Sequence, residues 1–405
     1  MTEAMSTAPR RERLNLYATC AAQFLTLAGM TAVLPLIPLY LQDIGVTDRA
    51  TLKYWTGALG SAPFVVAVIA TPIWGALADR VGYKPMVVRS VFGIALSTVG
   101  MGFSSTPLGL LGWRAVQGAV SGVFPAAVAL ITALTPELRI SRALALLQTA
   151  RAGGALCGPL LGGVLADLIG MRRLFFVAGA VAATTAIVCS LVIDEPRREA
   201  GAARAAAAAQ RDWRTLLAAP GLIGMLVLVA VFQAATMCAW PTLALFVEHL
   251  GVARDAVATT TGIVVFAAGL PAMLTTTLWA RLGGRVGLRP ALIGSLLLTG
   301  VANIAIGLTP RLGGVLALRA VAGLAMAGFV PLAFESMNAQ APAGSRGRVA
   351  GFGSTAMMAG NVIGPLLGAW LAVHGGLAAT FWLPGACLLV AGLALAARRP
   401  PASWS

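Results

Sequence analysis

The segment GALCGPLLGG, residues 154–163, returns 206 positions later as GNVIGPLLGA, residues 360–369. Both copies sit inside apolar stretches that otherwise read as helix, although glycine costs about 1 kcal/mol and proline about 3 kcal/mol in a helix interior. The spacing resolves the conflict. Gly154, Gly158 and Gly162 fall at i, i+4 and i+8, one bare stripe down a helix. In lipid no water-exclusion term drives helices together, so small residues that allow close backbone approach do that work. Working outward at an offset of 205 or 206, LYLQDIGV (39–46) meets LFVEHLGV (245–252), and DRVGYKP (79–85) meets GRVGLRP (284–290). LGWRAVQG (111–118) meets LALRAVAG (316–323), which pairs Arg114 with Arg319. A repeat held at one offset means a single unit written twice in the same orientation.

Composition says where that unit lives. Hydrophobic residues make up 58% of the 405, charged residues 11%, and mean hydropathy is +0.86. Runs of roughly 20 apolar residues each span the bilayer core. Twelve are expected: 14–42, 55–78, 85–104, 107–134, 143–168, 174–193, 220–248, 256–281, 288–308, 312–337, 348–373 and 377–397. The fold expected is therefore an all-α polytopic membrane protein of two parallel six-helix repeats. Residues 1–194 form the first half, 195–219 a cytoplasmic linker and 220–405 the second half.

The net charge of +15 is a topology signal and not a nucleic-acid footprint. Twenty Lys and Arg fall on the side of the termini and six on the other side. Positive charge favours the cytoplasm, so both termini are expected there. The 27 Arg against 2 Lys and the abundant Ala point to a GC-rich bacterium, and so to a bacterial inner membrane. The N-terminal MTEAMSTAPRRERLN is too polar for a cleaved leader, so the first span should be retained. The five cysteines lie in apolar segments without metal-like spacing and read as packed thiols. The two lysines follow Leu and Tyr, which excludes a G-K-[ST] phosphate loop. His249 and His374 are too far apart for H-E-x-x-H, so neither an enzyme nor a metal or cofactor site is expected.

Ionisable groups inside spans are functional hypotheses by default. Arg114, Gln117 and Ser121 share a face of the fourth span, with Phe124 and Pro125 beyond. Arg114, Gln117 and Phe124, with Gln23 and Phe24 of the first span, Gln233, Met237 and Trp240 of the seventh, and Arg319 of the tenth, are expected to line a cavity for a bulky, largely apolar small molecule. Arg151 stands seven residues before Gly158, about 20° away around the helix, and extends the stripe toward the termini. Glu335, rotated about 160° from Arg319, is the acid inside a span and the expected proton-coupling group. A pairing of Arg151 with Glu335 across the halves is expected when the cytoplasmic side is closed. The stripe itself, with Gly163 and the helix-bending Pro159, is expected to face a helix of the other half as a sliding or sealing surface. On that reading a leucine at 158 would stop transport without unfolding the protein.

These motifs resemble the major facilitator superfamily over essentially the whole chain. GALADRVGYKP (75–85) resembles its loop motif G-x-L-A-D-R-x-G-R-K, departing at Tyr83, where the family usually carries Arg. GALCGPLLGG matches the G-x-x-x-G-P-x-x-G-G motif of its drug:proton antiporters, and PLIPLYLQDIGV (35–46) resembles the twelve-helix efflux branch. The resemblance implies alternating access, with Gly75, Asp79, Arg80, Gly82 and Lys84 in a cytoplasmic gate beside the stripe. It implies proton-driven export of small molecules by a bilayer-embedded monomer. A dedicated exporter of an endogenous metabolite such as a siderophore, or a nutrient symporter, stays open as an alternative. The first span lacks an acid before Asp43, unlike several drug antiporters, which leaves the proton carrier open.

Overall fold

The computed structural model describes residues 10–195, 221–340 and 345–397, excluding the side chains of Arg10, Asp79 and Arg346. Of the expected linker, only Glu195 lies within the described residues. The helices are α1 (Arg11–Asp43), α2 (Arg49–Val81), α3 (Tyr83–Phe103), α4 (Pro107–Leu134), α5 (Glu137–Ile169) and α6 (Met171–Val192). They continue as α7 (Leu222–Cys238 with Leu243–His249), α8 (Val257–Val286), α9 (Leu288–Leu308), α10 (Leu312–Gln340), α11 (Arg346–His374) and α12 (Ala379–Ala397). Among the described residues eleven spans are long and apolar enough to cross a membrane, and α7 makes the twelfth as a pair bent by 45°. The described residues contain no strand.

The repeat is visible in the helix breaks. α1 passes through a 3₁₀ turn at Leu34–Leu36, where Pro35 lacks the N–H that a helix needs, and α7 breaks at the matching Pro241. α4 is interrupted at Gly122, whose φ of 123° suits only glycine, and α10 at the matching Gly328. A pair of matching tryptophan bonds completes the repeat. Trp74 Nε1 donates to Ala119 O, and Trp279 Nε1 to Leu324 O, each at 2.6 Å.

The chain forms two compact units, residues 1–34 with 62–209 and residues 35–61 with 210–405. In the first unit α1 packs along α5 and α3 along α6; in the second, α7 packs along α11 and α9 along α12. The core of the first gathers Leu16, Val87, Val91, Ala127 and Leu147, and that of the second Leu292, Leu296, Phe329 and Leu332. Segment 35–61 belongs to the second unit because α2 lacks side chains where α11 passes. A Cβ at Gly60 would lie 2.9 Å from Pro365 Cβ, and one at Gly57 2.8 Å from Pro365 O. Ser61 Oγ then donates to Val362 O at 2.7 Å, and Lys53 Nζ to Ala372 O at 2.6 Å. Just before α2, Asp48 accepts the Thr51 N–H at 2.7 Å, and the Thr51 hydrogen bonds hold its carboxyl below the usual carboxylate range.

Candidate functional site

The loop motif turns at one residue. α2 ends at Val81, α3 starts at Tyr83, and Gly82 between them has φ 102°, a left-handed geometry that strains any residue with a Cβ. The first N–H groups of α3 have no partner within the helix. Glu195 supplies one: its carboxylate accepts from Tyr83 N at 3.0 Å and Lys84 N at 2.7 Å. A carboxylate here also meets the positive end of the helix dipole. The neighbouring Asp194 accepts from Arg11 Nη1 at 2.7 Å and exchanges two 3.0 Å bonds with the Asn15 amide. The end of α6 is thus tied to both α1 and α3. Arg80 is exposed, Lys84 half-buried, and a Cβ at Gly75 would meet nothing within 4 Å; the Asp79 side chain lies outside the described residues. The reading from sequence missed Glu195 because, in line, it is only the first residue of a basic, alanine-rich linker. Glu195→Ala is expected to cost about 1 kcal/mol, the usual worth of a helix N-cap. Amide hydrogen exchange at Tyr83 and Lys84 should accelerate; unchanged protection there would refute the cap.

The glycine stripe corrects an expectation. It meets α1 of its own unit, not a helix of the other half. A Cβ at Gly154 would run into Phe24 O, one at Gly158 would lie 2.5 Å from Ala28 O and against Thr31 Oγ1, and one at Gly162 would lie 2.5 Å from Ala32 O. Thr31 Oγ1 also reaches Gly154 O at 3.4 Å. The second unit repeats the arrangement: Gly360, Gly364 and Gly368 of α11 press on Ala230, Ala234 and Cys238 of α7. Spacing gives a helix's bare face, but the bundle decides which neighbour fills it. Pro159 and Gly163 are buried within the continuous helix α5. Arg151, at the end of the stripe, places its guanidinium 4.5 Å above the Phe124 ring of α4.

Buried polar groups mark the interior of each unit. Arg114 is 5% exposed and donates from Nη1 to Gln117 Oε1 at 2.6 Å; Gln117 is 1% exposed. Gln23 is 4% exposed, and its Oε1 has no hydrogen-bond partner among the described residues. Phe24 lies against Gly153. In the second unit Gln233 Nε2 donates to Asn361 Oδ1 at 2.8 Å, Met237 packs on Gly364, and Trp240 stands at the break of α7. Asn361 lies within the second glycine segment, GNVIGPLLGA, beside Gly360. Arg319 sets its guanidinium 5.0 Å from the Phe381 ring, which is buried and packed against Phe246, and its Nε and Nη2 have no hydrogen-bond partner among the described residues. Glu335 lies exposed near the end of α10. The structure thus brings Arg114 to Gln117 and Arg151 to Phe124 in the first unit, and Gln233 to Asn361 in the second.

Two six-helix repeats carrying matching kinks and matching stripes describe a known architecture. The family model described as Major Facilitator Superfamily matches residues 19–253 and 225–405. The chain belongs to the major facilitator superfamily. A curated relative from Proteus mirabilis, "Multidrug resistance protein MdtG", is 32% identical over 384 residues, covering 94% of this chain and 95% of the relative. A Bacillus subtilis relative, "Uncharacterized MFS-type transporter YuxJ", is 32% identical over 375 residues, covering 91% and 95%. Among solved structures, a bacterial homolog of the human lysosomal transporter Spinster, in an inward-facing and occupied conformation, superposes with a TM-score of 0.78 at 19% identity. That likeness covers 96% of this chain and 97% of the other and speaks to the fold alone. This member of the superfamily is a multi-pass membrane transporter.

Proposed function

We propose that the protein is a secondary active exporter of small, largely apolar organic molecules, driven by proton antiport through alternating access. It works as a monomer in a bacterial inner membrane with both termini cytoplasmic. The observation that carries this reading is the near-full-length 32% identity to the Proteus mirabilis multidrug resistance protein. The interior polar groups support it. Arg114 bonds to Gln117 and Gln233 to Asn361, which leaves a few amide and aromatic anchors such as Gln23, Phe24 and Trp240 for a bulky apolar solute. The charge count supports the orientation. In inside-out vesicles, a panel of lipophilic dyes should accumulate when a proton gradient is imposed and leak out when an ionophore collapses it. Accumulation indifferent to the gradient would refute the coupling.

Glu335, the exposed acid of α10, is proposed as the proton-coupling group, and Arg151 as its charge partner during the cycle. Glu335→Gln should abolish gradient-driven accumulation while leaving dye binding to purified protein within about twofold, far under the 1.4 kcal/mol of a tenfold change. Arg151→Glu should impair transport as well, and combining it with Glu335→Arg should recover part of the activity. Defects that simply add would remove the pairing. The motif of Gly75, Asp79, Arg80, Gly82 and Lys84 is proposed as the cytoplasmic gate, because it spans the turn from α2 to α3 beside the Glu195 anchor.

A further inference from the structure

Arg89 lies inside α3, six residues and about 9 Å from its start at Tyr83. Its guanidinium carbon is 3.5 Å from the centre of the Trp74 ring, and Nη2 donates to Ser90 Oγ at 2.8 Å. Nε and Nη1 are buried without a hydrogen-bond partner among the described residues. The side chain borders a cavity of about 320 Å³, whose other walls include Trp74, Met86, Ser121, Ala126 and Ala129. The walls are mostly apolar, and Arg89 is the one charge among the described lining residues.

The repeat provides an internal control. The same corner is built in the second unit, where Trp279 makes the bond to Leu324 O that Trp74 makes to Ala119 O. The residue matching Arg89 there is Gly294, beside which a Cβ would meet nothing within 4 Å. Ser295, matching Ser90, donates to Ala325 O at 2.7 Å, so that corner closes on its own backbone without a cation. The fold therefore does not need an arginine at this place. A charge put within a span, at the cost of losing water, calls for a partner.

We propose that this corner of α2, α3 and α4 binds the phosphate of an anionic phospholipid, with Arg89 facing the phosphate and the apolar walls receiving the start of an acyl chain. Basic pockets between membrane helices bind such headgroups. Trp74 and Tyr83, both at the cavity, are residue types that favour headgroup depth. Arginine also stacks on tryptophan without losing its in-plane donors, which keeps the guanidinium fixed for an incoming oxygen.

The test is native mass spectrometry of the full chain, delipidated in a neutral detergent and titrated with phosphatidylglycerol, phosphatidylcholine or inorganic phosphate. Arg89→Gly copies the residue of the second unit, and Arg142→Gln removes an exposed charge at the start of α5 as a control. Wild type and Arg142→Gln should take up one phosphatidylglycerol about fivefold more tightly than Arg89→Gly, the factor for one basic residue meeting an anionic headgroup. Arg89→Lys, in case glycine weakens α3, should retain part of the preference. Equal phosphatidylglycerol binding by wild type, Arg89→Gly and Arg89→Lys would overturn the site. Equal binding of phosphatidylcholine by wild type would overturn the preference for an anionic headgroup. Displacement of the lipid by millimolar inorganic phosphate would overturn the lipid as its source.

Discussion

Gly158→Leu is expected to abolish the folded protein, not merely its transport. At this position α1 lies against α5 so closely that even a Cβ would meet Ala28 O at 2.5 Å and Ala28 Cα at 3.0 Å. The nearest groups are backbone, which cannot rotate away as a flexible side chain would. A leucine must push the two helices apart along the length shared by Gly154, Gly158 and Gly162, and it disturbs the Thr31 contact to Gly154 as well. The cost should reach at least the upper end of the about 1–3 kcal/mol typical of overpacking. Fluorescence-detected size-exclusion should show loss of the monodisperse peak, and Gly364→Leu should behave alike, since the matching stripe of α11 presses on Ala234 O at 2.7 Å. Gly75→Leu, at a site with open space around it, should remain folded, so any transport defect there reports on the gate. A well-folded but inactive Gly158→Leu would instead restore the stripe to a moving surface.

Gln117→Leu is expected to destabilise the protein more than the double replacement of Arg114 and Gln117 by leucine. The single change leaves a guanidinium buried at 5% exposure without the 2.6 Å acceptor that Gln117 provides. Losing a hydrogen bond to a charged group costs about 1.5–3 kcal/mol, whereas replacing both partners with apolar groups of similar shape is close to neutral. Thermal unfolding of the two singles and the double should show that interaction as non-additivity. Dye transport should be absent in all three if the pair serves the transported molecule. Additive melting shifts would mean that the bond to Gln117 contributes little.

Much of this was legible in one dimension. Apolar run length located the twelve spans, because a bilayer admits only segments of that length with their backbone bonds closed. The repeat was readable at one offset, and the structure extended it to Pro35 with Pro241 and Gly122 with Gly328, which break their helices at corresponding points. The bare face of α5 was also readable, since Gly154, Gly158 and Gly162 recur with the period of a helix.

Neighbours were not. Helical period gives the direction in which a side chain leaves its own axis and says nothing about which axis stands opposite. So the stripe was assigned to the other half, whereas α1 of the same unit fills it. The same gap hid the partner of Gln233 in Asn361, 128 residues away, and the capping of α3 by Glu195, 111 residues beyond Lys84. It also hid the packing of residues 35–61 on α11, which depends on two glycines of α2 meeting one proline of a distant helix. The sequence by itself determined how many helices there are, how they repeat and which faces are bare or polar. Only the tertiary structure decided which of those faces meet, because contact depends on the arrangement of several helix axes at once and no single helix encodes it.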